Sequence, residues 1–424
     1  MEHERAGRFE VAVIGLGVIG SAACRHLSLS SQSVLGIGPR EPHDWKAHTG
    51  VFASHYDEGR LTRIVDKDDV WAKLAARSIA SYKAVEEESG VKFHYPVGSL
   101  RVTPFYKEDG DSMVVAYHTG SRNGAPVELI ESGDELGKRF PYFHFEERQA
   151  GVMEAGGAGY VNPREMVRAQ LEVAAKHGAE IVAETAVKVE AGEGGVRIVT
   201  DTGRVFEAAK VLLCTDAYTN LLLPEQDALA LTTYLVSVLL AEVDVDEAEK
   251  LKGMPSIIWR LRSHPYFHSI YACPPVLYPD GKTCVKIGGT EWKPYSRSSA
   301  SDFLEWFHSD EGRPVETKFL QEILAELLPE TSFKSFSRKS CFVTYTANNY
   351  PYIAAADGAK STAEARVFVC TGGCGAAAKS SDEIGRIGAL LVTHRTWEYD
   401  LDERLFKGVS AAASKFDAKM IPHV

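Results

Sequence analysis

The sequence predicts a mixed α/β fold in two parts, one built around a parallel sheet and one rich in other strands. Three observations carry this. Gly15, Gly17 and Gly20 form G-x-G-x-x-G between a short apolar run and an amphipathic stretch. A second apolar run, "ARVFVCTGG", enters glycines far down the chain. A chain of 424 residues exceeds what one compact core usually holds, so two domains are expected.

The elements follow in order. Residues 9–14, "FEVAVI", are apolar and bounded by glycines, as in a buried strand. Beyond the turn, Ile19, Ala22, Ala23, His26 and Leu27 fall at i, i+3, i+4, i+7 and i+8, the stripe of an amphipathic helix. "SVLGI" reads as the second strand, and a strand–turn–helix–strand unit wants a parallel sheet. Residues 70–87 read as a helix and 92–150 as scattered strands such as "SLRVTPF". In "GYVNPREMVRAQLEVAAKHGAEIV", Asn162 is the N-cap and Pro163 the first helical residue. Glu165 reaches back as in a capping box, and Gly178 ends the helix. "AEIVAETAVKVEA", "GVRIVTDTGRVFEA" and "KVLLCTDAY" follow as strands, with Asp201-Thr202-Gly203 as a hairpin turn. Residues 221–335 alternate strands with a helix near 316–328, and "DEIGRIGALLV" is the closing helix. The nucleotide-type elements therefore come in three pieces. The expected division is a discontinuous Rossmann-like domain of residues 1–90, 151–220 and 336–424, with a second domain of residues 91–150 and 221–335.

Composition excludes several classes. The net charge of -11 argues against a nucleic-acid or anionic-membrane partner, since phosphate binding needs clustered Lys and Arg. There is no run long enough to span a membrane. "MEHERAGRFE" lacks a secretory core and "PHV" is no peroxisomal address, so a cytoplasmic protein is expected. The seven cysteines are odd in number and contain no CxxC pair, which reads as reduced thiols, not disulfides or zinc ligands. His264 and His268 are four apart, but Pro265 breaks a helical metal face, and no metal site is expected.

In the glycine turn, Gly15 permits the tight bend, Gly17 lets the backbone approach a pyrophosphate, and Gly20 lets helix and strand pack closely. The acid that usually holds the ribose belongs at the end of the second strand, where the residues are Gly38, Pro39, Arg40 and Glu41. Three readings stay open: Arg40 pairs with a 2'-phosphate, Glu41 reaches the ribose, or the cofactor is anchored elsewhere.

Several further runs occur in a fixed order: "ASHYDEGRLTRIV", "GYVNPREM", "HGAEI", "KVLLC", "CVKIGG", "KSCFVTYT" and "VFVCTGGCGAAAKSSDEIG". Together they resemble the glycine/D-amino-acid oxidase superfamily of flavoproteins, within it the sarcosine oxidase and N-methyltryptophan oxidase branch. The resemblance covers most of the chain. It implies FAD in a Rossmann-like domain of the GR2 type, with an antiparallel-sheet substrate domain and the flavin at their boundary.

It also implies roles for residues. Cys341, in Cys341-Phe342-Val343-Thr344-Tyr345-Thr346, matches the cysteine bonded to the flavin 8α-methyl, although a free strand cysteine is more often a packing residue. Lys286 in "CVKIGG" matches the oxygen-activating lysine, with a solvent-facing position left open by strand alternation. Arg63 matches an arginine near the flavin ring, with Arg60 a second cation. Gly372, Gly375 and Lys379 match a G-x-x-G-x-x-x-K run whose lysine binds the substrate carboxylate. Val187 matches a residue near the adenine, and Tyr271 the pocket tyrosine. Departures lie on the substrate side: Asp66, Thr290, Val343 and Ala376 stand where the family has arginine, histidine, tyrosine and histidine. Asp66 in the pocket would favour a cationic substrate.

The expected function is thus an FAD-dependent amine oxidase, a monomer acting on a secondary or N-methylated amine or imino acid and on O2. The alternatives are a flavin dehydrogenase with another acceptor, an NADP-dependent reductase using Arg40, and a non-catalytic redox sensor.

Overall fold

A computed structural model describes residues 9–30, 33–108, 111–309, 312–356 and 362–412. The polar residues 1–8 and the terminal "PHV" lie outside these. Phe9–Ile14 and Val34–Ile37 are the expected strands, paired in parallel. Val11, Ala12, Val13 and Ile14 are all buried, as a strand covered on both faces requires. Their sheet has eight strands. Val205–Leu213 lies on the other side of Phe9–Ile14, Val367–Thr371 pairs with its C-terminal half, and Glu180–Val182 lies beyond Val34–Ile37.

Helices Val18–Leu29, Pro163–Lys176 and Ala377–His394 pack together beside this sheet. Their contact encloses a polar knot, in which Asp382 accepts from Arg25 at 2.7 Å and from Gln170 at 2.9 Å. A buried carboxylate needs such partners to stay charged. The N-cap of Pro163–Lys176 is Asn162, which accepts from the Glu165 N–H at 3.0 Å. The capping box is only half formed, because the Glu165 carboxylate turns outward to Arg168.

A second sheet of nine strands is mostly antiparallel and carries the long strands Leu231–Val243, Phe267–Leu277 and Thr283–Glu291. Two of its strands depart from the expected division. Ala150–Glu154 pairs with Ser99–Thr103, and Ser335–Thr346 pairs along the whole edge of Leu231–Val243. That edge belongs to an almost fully buried strand, and Ser335–Thr346 covers its open N–H and C=O groups. Within residues 92–150 the structure also has helices Ser112–Arg122 and Gly133–Arg139, capped by Asp111 and Ser132. They are short and weakly patterned, so the strand reading missed them. Arg60–Thr62, Gly159–Val161 and His94–Tyr95 form a third, small sheet. Among the described residues, no helix is long and apolar enough to cross a membrane.

The glycine turn gives a test of local packing. A Cβ on Gly20 would lie 1.8 Å from the Gly15 carbonyl oxygen, whereas one on Gly17 would meet nothing nearer than 3.8 Å. Gly20→Ala is expected to lose about 2 kcal/mol or more of stability in urea denaturation, and Gly17→Ala less than about 1 kcal/mol.

Candidate active site

One cavity of about 560 Å³ runs between the two large sheets. Gly15, Gly17 and Gly38 of the glycine-turn end line it, and so do Cys341, Arg63, Tyr271, Thr290 and Lys379. At the glycine-turn end Gly17 caps helix Val18–Leu29 with no side-chain acceptor, so the first N–H groups of the helix face the cavity unclaimed. Gly15 has φ +91°, and a Cβ there would meet the Cys214 carbonyl oxygen at 2.6 Å.

The absent acid has a steric cause. A Cβ on Gly38 would lie 2.7 Å from the Leu16 nitrogen, so no side chain fits. Arg40 is exposed and lies outside the cavity wall, which removes the ground for the 2'-phosphate reading. Glu41 accepts two bonds from Arg164, at 2.6 and 2.7 Å, and Arg164 also pairs with Glu58. Val187 lines the cavity with Thr185 and is half exposed.

Mid-cavity, Cys341 and Val343 line the wall from one strand, Ser335–Thr346. The Cys341 sulfur lies 3.5 Å from Arg60 Nη2, and its carbonyl accepts from Trp306 at 2.8 Å. The arginine beside the cysteine is Arg60, and Arg63 also lines the cavity. Arg63 lies within the fields of Asp66 and Glu154. Lys286 is fully buried, which removes the solvent-facing option. Its ammonium pairs with Asp57 and donates to the Gly59 carbonyl at 2.8 Å. Burial and the nearby Arg60 charge push it toward the neutral amine; the Asp57 carboxylate in contact opposes them. Asp57 also pairs with Arg60 and accepts from Tyr278 at 3.1 Å.

At the inner end Lys379, in the first turn of the closing helix and almost fully buried, binds Asp66 at 2.6 Å. Lys379 and Arg63 hold the Asp66 carboxyl down at about 2 despite its burial. Asp66 is thus a spent countercharge, and the expectation of a cationic substrate is withdrawn. Tyr271, Thr290, Val343 and Ala376 all line the wall. Gly372 and Gly375 have φ of +83° and +73°, and a Cβ on Gly372 would strike the Thr346 side chain at 2.3 Å.

Three site residues escaped the motif reading. Asp57 sits inside a quoted run but gains meaning only through Lys286. Asp216, at φ 46°, is half-buried beside the same glycines and accepts from Thr344 at 2.8 Å. Glu291 lines the cavity, and burial together with the Glu316 carboxyl bonded to it pushes it up to about 9. Arg313 contacts both carboxyls, Glu291 at 3.1 Å.

These features fit a flavin dinucleotide. The glycine cradle leaves backbone donors free for phosphates, and the His55 Nδ1 and Arg63 Nε atoms are buried without partners. A family model described as DAO, FAD dependent oxidoreductase, matches residues 10–391. The chain is 29% identical over 219 residues to monomeric sarcosine oxidase of Streptomyces avermitilis, covering 51% of this chain and 54% of that one. It is 24% identical over 218 residues to N-methyl-L-tryptophan oxidase of Yersinia pestis, covering 51% and 56%. The chain spans about half the length of the curated relatives it matches. Among solved structures, NikD, an unusual amino acid oxidase essential for nikkomycin biosynthesis, has the same fold. Its TM-score is 0.75 at 18% identity, with 96% of this chain and 98% of that one covered. Glycine oxidase of Geobacillus kaustophilus superposes with a TM-score of 0.69 at 19% identity, covering 95% and 99%.

The Glu291 carboxyl predicts a pH signature. An acid whose folded pKa is raised binds more protons when folded, so its contribution to stability falls as pH climbs from the unfolded value toward about 9. Glu291→Gln is expected to flatten that decline and to raise the melting temperature at pH 8 by about 2 °C. Thermal unfolding followed from pH 5 to 9 measures both.

Proposed function

The chain belongs to the DAO family of FAD dependent oxidoreductases, and on that footing we propose that it is an amine oxidase acting on the C–N bond of a secondary or N-methylated amine or an imino acid. The observation that carries this is that one cavity is lined by Gly15 and Gly17, by Cys341, and by Arg63 and Lys379. Gly15, Gly17 and Gly20 would hold the pyrophosphate on the helix N-terminus, Val187 the adenine, and Gly372 and Gly375 the ring. When bound, FAD supplies the two-electron acceptor for the amine and returns the electrons to O2 as H2O2.

The protein's residues supply placement and charge. Cys341 offers the thiol for a covalent anchor, with the Arg60 guanidinium 3.5 Å from its sulfur. Lys286, dry and fixed by Asp57 and Gly59, places a donor and positive charge where reduced oxygen would gather negative charge. Arg63 and Lys379 give the inner end a cationic character that suits a substrate carboxylate, while Tyr271 bounds the space above it. The same arrangement suits a neutral amine, because a second cation there meets like charge. A small-molecule amine and O2 are then the partners, and a cytoplasmic monomer needs no other.

Acid precipitation tests the anchor. The pellet is expected to stay yellow, and that of Cys341→Ser to be colourless over a yellow supernatant. Lys286→Met is expected to slow reoxidation of the photoreduced enzyme by O2 by about 10²–10³-fold. Slow reoxidation in the unaltered protein would instead make it a dehydrogenase.

A further inference from the structure

Two acids line the cavity, and they are held differently. Glu291 pairs with Arg313 at 3.1 Å, whereas Asp216 pairs with no cation among the described residues. Asp216 opens the short turn Asp216–Leu221 that follows strand Val205–Leu213. Its left-handed backbone is fixed by its own carbonyl, which accepts from Thr219 at 2.8 Å and Thr371 at 3.3 Å. Its carboxylate accepts from the Thr344 hydroxyl at 2.8 Å, and the N–H groups of Ala217, Gly372 and Gly373 favour its charged form. Burial outweighs these donors and pushes the carboxyl above its ordinary range.

Asp216 stands where three segments of the wall meet. The residue before it, Thr215, presses on the glycine turn: a Cβ on Gly15 would lie 3.0 Å from its methyl carbon. Thr344 belongs to the strand that carries Cys341, and Gly372 and Gly373 lead into the closing helix. The titratable groups that face Asp216 are Tyr218, from its own turn, and Cys374, from the second glycine run. Burial pushes each of them up to about 12, so both are neutral. The neighbouring strands bring hydroxyls: Thr344, Thr371, and Thr233, which bonds to Thr344 at 3.2 Å. Lys379, in the first turn of the closing helix, is committed to Asp66. Nothing beside Asp216 therefore offsets a second negative charge. In a site that screens charge poorly, two like charges do not persist together, and a carboxylate answers by taking a proton.

We infer that Asp216 takes up a proton when a flavin bound in the cavity is reduced, and returns it when the flavin is reoxidised. Electrons and protons then balance over a cycle. An amine that arrives as an ammonium ion loses a hydride from carbon and a proton from nitrogen, and leaves as an iminium ion. The cofactor keeps the hydride's two electrons and its hydrogen. Asp216 keeps one proton as a neutral carboxyl. O2 takes the two electrons and both hydrogens and leaves as H2O2. The inference goes beyond the amine-oxidation reading and does not need it, because reduction by any donor places the same charge beside Asp216.

The midpoint potential of the holoenzyme's flavin, followed against pH by equilibration with redox dyes, tests this. Each proton taken up with two electrons changes the equilibrium tenfold per pH unit, which is about 30 mV. The unaltered protein is expected to show a segment of about 60 mV per pH unit within a line of about 30 mV. That segment starts where Asp216 ionises in the oxidised protein, above the ordinary carboxylate range, and ends where it ionises in the reduced one. Asp216→Asn has no proton to take and should follow one line of about 30 mV throughout. Thr344→Val removes a donor to the carboxylate and should move the steep segment to higher pH. The same slopes in Asp216→Asn and the unaltered protein overturn the proposal. A lowered melting temperature with unchanged slopes marks a structural aspartate and also overturns it. Should Asp216→Asn fail to fold, the infrared difference between oxidised and photoreduced unaltered holoenzyme decides. A neutral-carboxyl band that appears on reduction and shifts in Thr344→Val supports the proposal, and its absence overturns it. A steep segment in a protein whose flavin no amine bleaches would keep the proton coupling and remove the amine-oxidation reading.

Discussion

The cavity depends on how the segment 51–66 is held, and two buried ion pairs hold it. Asp57 meets Lys286 on a strand of the second sheet, and Asp66 meets Lys379 on the closing helix beside the first. Between them the only regular structure is the three-residue strand Arg60–Thr62. Desolvation consumes most of the Coulomb gain of such pairs, so they add little net stability. Removing one partner, however, leaves a buried charge alone, at about 3–5 kcal/mol. The pairs therefore specify position. They place Arg60 against Cys341 and Arg63 near Asp66 and Glu154, with both arginines on the cavity wall.

Much of this was legible in the sequence, and the boundary of legibility is physical. The glycine turn, its flanking strand and helix, and the Asn162 cap are local patterns, and they read correctly. The order of remote runs pointed to the family. What failed were statements about which residues meet. Lys286 and Asp57 are separated by 229 positions, and Lys379 and Asp66 by 313. No local pattern announces such a pair. Arg60 and Arg63 are both cations with apolar neighbours, and only the fold shows that Arg60 is the one beside the cysteine. Asp66 read alone looked like a substrate-facing charge. With Lys379 in view it is a countercharge. Asp216 was invisible for another reason: in "KVLLCTDAY" it looks like any acid of an exposed turn, and only the fold puts it on the cavity wall.

The missing ribose acid shows the same dependence on packing. Position 38 follows a strand whose first cross-over returns so closely that Leu16 fills the place of a side chain. Glycine there is a steric requirement of this particular turn. The nearest candidate substitute, Glu41, has its carboxylate occupied on both oxygens by Arg164, itself shared with Glu58. The turn end of the cavity thus offers backbone donors in place of an acid. A cofactor held there by its phosphates would draw its remaining hold from elsewhere along the wall, which is the part a thiol anchor at Cys341 would play.

The charges along the cavity form one design. The chain carries a net charge of -11, yet three cations, Arg60, Arg63 and Lys379, line the cavity. The helix at the glycine turn has no acid in its first turn and no capping side chain, so its dipole is left to the cavity. Arg60 stands at the middle, and Arg63 and Lys379 at the inner end. Every carboxylate that approaches these cations is already bonded: Asp57 to Lys286 and Arg60, Asp66 to Lys379, Glu154 to backbone N–H groups. Two acids line the wall itself: Asp216, which accepts from Thr344, and Glu291, whose pKa is raised to about 9, so that it stays protonated at neutral pH. In a medium that screens charge poorly, such a wall favours whatever becomes more negative beside it. A bound flavin would gain from it at its phosphates and, as it accepts electrons, at its ring. The acidic exterior confines this preference to the cavity, because a wall of fixed cations left open to solvent would be screened within about 8–10 Å.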